Sequence, residues 1–195
     1  MTLRFTSHVG AEIAGVIDDV ARLRITVFRA WPYLYDGDLD YERRYLGRFC
    51  ASASAIVVTA KVNGQIVGAA TGAPMEDHAA EFAAALEGRG MDPRDVFYCA
   101  ESVLVPEYRG QGAGHGFFDG REAQARALGR KFCLFCAVVR PKDHPMSDPD
   151  YRPLDPFWER RGYERLDGMT AAFRWRDVGD TTETPKTLQF WGKSL

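Results

Sequence analysis

An apolar run from Tyr98 to Val105 leads through Pro106 into Arg109-Gly110-Gln111-Gly112-Ala113-Gly114, and a helix-forming run begins near His115. A strand that turns through glycines into a helix start commits the chain to a strand–turn–helix unit. Such a turn gathers free backbone N–H groups and the positive end of a helix dipole at one point, an arrangement that binds phosphate. Two nucleotide readings fail on spacing. A Gly-x-Gly-x-x-Gly fingerprint meets His115 at its third glycine when counted from Gly110, and Phe117 when counted from Gly112. A P-loop needs Lys followed by Ser or Thr after its last glycine, and neither is present.

At 195 residues the chain fits one domain, residues 1–195, with a sizeable core. Apolar residues at 46% are enough to fold, and charged residues at 27% argue against disorder. A net charge of -2 argues against nonspecific binding of nucleic acid. The stretch Met1 to Phe5 lacks a signal-peptide core, and the aliphatic run Ala55 to Val58 is too short to span a bilayer. The expectation is a soluble, cytoplasmic protein with no nucleic-acid or membrane partner. Cys133 and Cys136 have CxxC spacing but fall on a strand-like run, where residues three apart face opposite sides. They read as buried thiols, and no metal is expected.

Periodicity supplies the remaining elements. Leu3 to Phe5 suggests a first strand, with Thr6 or Ser7 near a helix cap. Val16, Val20, Leu23 and Val27 recur at helical spacing and predict a helix from Glu12 to Arg29, stopped by Trp31-Pro32. Asp38 or Asp40 caps a second helix in which Tyr41, Tyr45 and Phe49 share a face. Strands over Ala55 to Val62 and Gln65 to Gly72 flank Asn63-Gly64, a hairpin signal, because both residues tolerate positive φ. A helix over Ala79 to Leu86 precedes a strand from Val96 to Val105, and the glycine turn starts a helix reaching Leu128. On it Gly112, Gly116 and Gly120 lie four apart. Each interior glycine costs about 1 kcal/mol relative to Ala, so close approach by a sheet or ligand is the expected reason. A strand over Lys131 to Val139, a proline-rich loop over Arg140 to Pro153, a short helix from Asp155 to Arg161 and a hairpin of Thr170 to Arg176 with Thr187 to Lys193 complete the chain. Phe190 and Trp191 read as strand core more readily than as a dimer contact, although a homodimer stays open.

Arg-x-x-Gly-x-Gly after a strand ending in Val105-Pro106 resembles the pyrophosphate-binding signature of the GNAT N-acetyltransferase superfamily. The wider string Glu101-Ser102-Val103-Leu104-Val105-Pro106-Glu107-Tyr108-Arg109-Gly110 strengthens the match. The element order β-α-α-β-β-(α)-β-α-β-α-β-β is similar to that family's over essentially the whole length. The resemblance implies an α/β (α+β) fold with a mixed, mostly antiparallel sheet of about seven strands flanked by helices. It also implies acetyl-CoA as co-substrate. In the family, the signature strand and the next strand splay apart, and the pantetheine arm lies between them. By position, Val103, Leu104 and Val105 would offer backbone to pantetheine. Gly110, Gln111, Gly112, Ala113, Gly114 and His115 would offer N–H groups to pyrophosphate, with glycine allowing close approach. Arg109 adds charge or braces the turn.

Acetyl transfer to an amine, attacking directly in a ternary complex, needs a neutral acceptor. An alkylamine of pKa near 10.4 costs roughly 4–5 kcal/mol to deprotonate at pH 7. A base contributes about 10²–10⁴-fold, whereas orienting the reactants supplies ~7–11 kcal/mol. Glu101 matches the position where family members carry a glutamate acting through water. Alternation puts Cys99, Glu101, Val103 and Val105 on one face, so the acid should sit among apolar neighbours that raise its pKa. Cys99 on that face is the one residue that could form an acyl-enzyme instead. The family's usual acid is a tyrosine in Phe-Tyr-x-x-x-Gly-Phe/Tyr. Here the string is Phe157-Trp158-Glu159-Arg160-Arg161-Gly162-Tyr163, and an indole cannot protonate a thiolate. Tyr151 or water could take that role, or none is needed for a thiolate of pKa near 8.5. Trp158 packs on pantetheine or in the core.

The segment Pro32 to Glu42 lines the acceptor side in the family. Its Tyr33, Tyr35, Asp36, Asp38 and Asp40 suit a cationic amine, though turn and cap roles explain the aspartates equally well. Arg140, Lys142 and His144 on the following loop could hold a substrate carboxylate. His8 and His78 read as surface or cap residues. The implied activity is an acetyl-CoA-dependent N-acetyltransferase (EC 2.3.1.-) acting on a small-molecule primary amine. A protein or peptide acceptor, or a non-catalytic acyl-CoA-binding module, are the alternatives.

Overall fold

A computed structural model describes residues 2–195, with the side chains of all of these except 79–81. The strands are β1 (Arg4–Val9), β2 (Ile56–Val62), β3 (Gln65–Pro74), β4 (Val96–Tyr98), β5 (Ser102–Leu104), β6 (Phe132–Val138), β7 (Glu164–Trp175) and β8 (Thr184–Ser194). The helices are α1 (Ile17–Phe28), α2 (Leu39–Ala51), α3 (Ala79–Glu87), α4 (Ala113–Ala127) and α5 (Asp155–Arg160). One sheet runs β1-β2-β3-β4-β6-β8-β7, with β5 paired to β3 beside β4. Among the described residues, only β4 and β6 pair in parallel. The sheet is thus mixed and mostly antiparallel, as expected. It has eight strands rather than seven because the strand predicted over Val96 to Val105 is divided between β4 and β5.

Most local signals hold. Asn63 (φ 49) and Gly64 (φ 84) make the tight turn between β2 and β3. The Asp38 side chain caps α2 by accepting the Tyr41 N–H. Cys133 packs with the α4 side of the sheet, among Phe117, Phe118 and Phe135, and Cys136 packs on the opposite side with Tyr98 and Phe190. Phe190 and Trp191 are buried. The chain start departs from expectation. Thr6 and Ser7 pair with Thr59 and Val58 inside β1 rather than capping a helix, and a 3-10 turn over Gly10–Gly15 delays α1 to Ile17. His78 does hold the N-cap position of α3, but its ring is buried against Phe49, Phe82 and Tyr98 rather than bonding the helix start. His8 bonds Thr59 from within a strand and is not a plain surface residue.

Two of the spaced glycines on α4 explain themselves by contact. A Cβ on Gly116 would lie 2.7 Å from the Phe5 ring, and one on Gly120 2.7 Å from a Val58 methyl. The helix lies against β1 and β2 closely enough to exclude even a methyl group. Gly112 serves differently: it is the left-handed residue (φ 81) that precedes α4, with open space around it. Gly120→Ala should therefore overpack the interface and lower stability by about 1–2 kcal/mol despite its gain in helix propensity. Gly47→Ala on exposed α2, where a new Cβ meets nothing, should raise stability by about 0.5–1 kcal/mol. Urea unfolding of the two variants measures the contrast in sign.

Candidate functional site

The division between β4 and β5 is a β-bulge. Thr71 on β3 accepts the Ala100 N–H and donates its own N–H to the Glu101 carbonyl, each at 3.0 Å, so two residues oppose one. The extra residue reverses the alternation. Phe97 and Cys99 face α4, whereas Glu101 and Val103 face α1 and α2. Cys99 and Glu101 therefore do not share a face, contrary to the uninterrupted-strand reading. The thiol lies buried in the α4-side core. From that side the fully buried Arg121 of α4 reaches the bulge. It donates to the carbonyls of Glu101 (3.0 Å) and Thr71 (3.3 Å), to Ser102 Oγ (2.9 Å) and to its own helix at Phe117.

The bulge delivers Glu101 into a charged cluster rather than the apolar surroundings expected of it. One carboxylate oxygen, Oε2, pairs with Arg24 (2.8 Å) and accepts from the Tyr45 hydroxyl (3.2 Å). Arg24 also binds Glu42, a carboxylate with no exposed surface. Its guanidinium lies over the rings of Tyr45 (4.4 Å) and Phe28 (5.1 Å). Burial works against the Arg24 charge, but Glu101, Tyr45 and Glu42 outweigh it and push the pKa upward. The other oxygen, Glu101 Oε1, is buried without a hydrogen-bond partner, as is Glu42 Oε1.

Glu101 and Arg24 line a cavity of about 100 Å³ together with Tyr33, Tyr35, Tyr41, Tyr45 and Tyr98. Tyr33 and Tyr35 thus share a cavity with Glu101. Burial pushes up the pKa of both, aided by Cys136 and Tyr151 for Tyr33 and by Glu42 for Tyr35, so both stay neutral phenols. Arg140 braces their segment. It is ion-paired with Asp177 (2.7 Å) and donates to the carbonyls of Pro32 and Tyr33, which leaves it no role toward a substrate carboxylate. His144 does not reach the cavity. Its ring packs on Trp31 (5.3 Å) and its Nδ1 accepts the Met146 N–H. Asp36 pairs with Arg29 and Arg176, and Asp38 caps α2. Those aspartates are structural.

On the other side of Glu101 the sheet opens. Pairing between β4 and β6 ends where Cys99 N–H meets the Leu134 carbonyl, after which β6 continues with β8 alone and β5 with β3 alone. The Val105 N–H is bonded to Val67, and Val103 sits opposite Ala69. Alternation in an antiparallel ladder then turns the Val103 and Val105 backbone toward β3 and that of Ser102 and Leu104 toward the wedge. Of the three residues expected to offer backbone there, only Leu104 does. Beside the wedge, Trp158 packs on Phe135 (4.9 Å) and Trp191 (5.2 Å).

The glycine turn closes this end. Gly110 (φ 75) and Gly112 (φ 81) take left-handed conformations that other residues adopt at a cost. Ala113 and Gly114 begin α4, and their N–H groups are first-turn donors that the helix leaves free. The His115 N–H bonds the Gly112 carbonyl, which removes it from the expected set. Gly114 has its own reason to be glycine: a Cβ would lie 2.8 Å from the Phe157 ring of α5. Arg109 and Gln111 are exposed. Tyr151 is half-buried, and burial with Asp155, opposed by Arg109, pushes its pKa up.

Arg24, Glu42, Tyr45 and Arg121 escape a reading based on motifs. The signal for the first two was present. Arg24 follows Val20 and precedes Phe28 at four-residue steps, and Glu42 precedes Leu46 and Phe49, so each places a charge in its helix's apolar stripe. Among the described residues, no group of three or more His, Cys, Asp or Glu could hold a metal ion, and no helix is long and apolar enough to cross a membrane.

The sequence model of the acetyltransferase (GNAT) family matches residues 22–163. No curated protein sequence matches the chain. A ribosomal-protein-alanine N-acetyltransferase from Brucella melitensis superposes over 100% of both chains with a TM-score of 0.58 at 14% identity. A GNAT-family acetyltransferase from Streptococcus pneumoniae covers 99% of each chain (TM-score 0.56, 12% identity). PaiA N-acetyltransferase from Thermoplasma acidophilum, in complex with coenzyme A, covers 100% of both (TM-score 0.56, 12% identity). At such identities the likeness is one of fold.

Removing one partner of a buried ion cluster leaves an uncompensated charge, at about 3–5 kcal/mol. Arg24→Met should therefore cost that much in denaturant unfolding, since it strands Glu42. The double variant Arg24→Met/Glu42→Gln should recover a large part. Equal losses in the two would show that Arg24 contributes packing alone.

Proposed function

This chain belongs to the acetyltransferase (GNAT) family, and we propose on that premise that it transfers an acetyl group from acetyl-CoA to the primary amine of a small molecule, by direct attack in a ternary complex. The observation that carries the reading is Glu101, which lines a small cavity and whose Oε1 is buried without a partner.

The residues fit the donor. Gly110 and Gly112 hold the left-handed turn, and the free first-turn N–H groups of Ala113 and Gly114 suit pyrophosphate oxygens. The open backbone of Ser102 and Leu104 suits an extended amide-bearing arm, and Trp158 gives that space an apolar wall. When bound, acetyl-CoA supplies an activated acyl group as a thioester. Glu101 accepts the proton that an acceptor ammonium must lose, directly or through one water. Arg24 and Tyr45 fix the carboxylate by its other oxygen, which leaves Oε1 for this work. Tyr151, kept protonated by burial, is the available acid for the departing thiolate.

Thiol release from acetyl-CoA across a panel of small amines and peptides tests the reading. Glu101→Gln should lower kcat by about 10²–10⁴-fold at neutral pH while leaving the KM for acetyl-CoA within about twofold. An unchanged kcat removes Glu101 from the chemistry. Absence of release with every acceptor, despite tight CoA binding, would make the protein a binding module. Preference for peptides would move the acceptor to proteins, in keeping with the name of its Brucella melitensis structural counterpart.

A further inference from the structure

The acceptor cavity has an uneven charge. Arg24 contributes one positive charge, and Glu42 and Glu101, both bound to it, contribute two negative ones. This cluster, of which Arg24 and Glu101 line the cavity and Glu42 stands behind Arg24, therefore carries one uncompensated negative charge, and its carboxylates are more than nine-tenths buried. Glu101 Oε1 is buried and accepts no hydrogen bond. A buried carboxylate oxygen without a donor is costly, and a ligand that brings N–H donors and a positive charge relieves that cost.

The remaining charges lie elsewhere. Arg174 is exposed at the rim, where it donates to the Glu183 carbonyl. Arg140 and Lys186 both pair with Asp177 and sit against Trp175, outside the lining. Arg48 lies over the Tyr45 ring. Most of the other lining side chains are aromatic, and tyrosine faces attract cations. A cavity of about 100 Å³ holds roughly three waters' worth of space. It suits a slender alkyl arm.

Resting on the acetyltransferase reading above, we infer that the acceptor is a primary alkylamine that enters as its ammonium and carries no carboxylate on the carbon bearing the amine. The buried excess charge at Glu42 and Glu101 selects it. An α-carboxylate would be driven against that charge in a water-poor site, where like charges repel strongly. Any anionic group on the acceptor must lie far enough along the chain to reach the rim at Arg174.

The test compares n-butylamine, norvaline and norvalinol as acceptors. Norvaline adds a carboxylate beside the amine, and norvalinol adds a branch of similar size without the charge. The expected kcat/KM for n-butylamine exceeds that for norvaline by on the order of a hundredfold, with norvalinol within about tenfold of n-butylamine. Norvaline reacting as well as n-butylamine would overturn the inference, and so would norvalinol as poor as norvaline, since the discrimination would then be one of size. Glu42→Gln removes the excess charge without touching the acceptor. It should raise the KM for n-butylamine about tenfold, narrow the gap to norvaline and leave the KM for acetyl-CoA unchanged. An unaltered gap in a variant with wild-type circular dichroism overturns the role of Glu42, and the wild-type panel decides the substrate class if that variant does not fold. Turnover of norvaline or peptides with n-butylamine inert would sink this inference and keep the acetyltransferase. Calorimetric binding of n-butylamine with no thiol release from any acceptor would keep the charge selection and sink the catalytic reading.

Discussion

The bulge opposite Thr71 is the constraint on which the site depends. Without the extra residue, Glu101 would follow the alternation of Phe97 and Cys99 and point into the packed α4-side core. With it, the carboxylate emerges beside α1 and α2. The same irregularity separates β4, which pairs with β6, from β5, which pairs only with β3. One local event therefore both opens the wedge and turns the Glu101 carboxylate toward α1 and α2. Arg121 braces the bulge. The Thr71 and Glu101 carbonyls, each already bonded across the bulge, both accept a second hydrogen bond from this guanidinium inside the core.

Burying that guanidinium and the Arg24–Glu42–Glu101 cluster is a poor way to gain stability. Hydrophobic groups of similar volume often do as well or better. Both make sense when their output is geometry. Arg121 is satisfied by oxygens fixed in the sheet, so it fixes them in return. Arg24 holds two carboxylates from different elements, α2 and the bulge, against a helix of its own. This wall of the cavity is tied together by charge, and apolar packing adjoins it at Leu46, Phe49 and Val103.

The residues that could be read from sequence act through local rules. Asn63-Gly64 makes its turn because two adjacent positive φ angles suit these residues. Asp38 caps because its oxygen reaches an N–H three residues on. Gly110 and Gly112 announce a turn into a helix, and the structure adds that both are left-handed. Cys133 and Cys136 part company because a strand alternates. The failures came from interactions between segments distant in sequence. Nothing within Val96 to Val105 marks the bulge, since the donors that sustain it come from Arg121 and Thr71. Arg140 looked like a free cation until Asp177 met it across 37 positions, and His144 is withdrawn by Trp31. His78 is buried by rings from three separate elements. Arg24 and Glu42 stood out as charges in apolar stripes, but only their meeting with Glu101 gives them a common purpose.

The glycine turn and Glu101 are joined by the shortest route the chain allows. Three residues of β5, then Val105 and the 3-10 turn over Pro106–Tyr108, separate Glu101 from the turn over Arg109 to Gly114. β5 is pinned along β3, and the turn is pinned from the other side by Phe157 against Gly114. In the proposed reaction a donor held at one end of this span would have its reactive group delivered toward the other end at a length set by covalent geometry. Proton transfer to a base such as Glu101 supplies about 10²–10⁴-fold, whereas holding two reactants in register supplies ~7–11 kcal/mol. Under the proposed reaction the larger part of the catalytic capacity would therefore reside in the rigid spacing along β5, with proton transfer to Glu101 the smaller addition at its end.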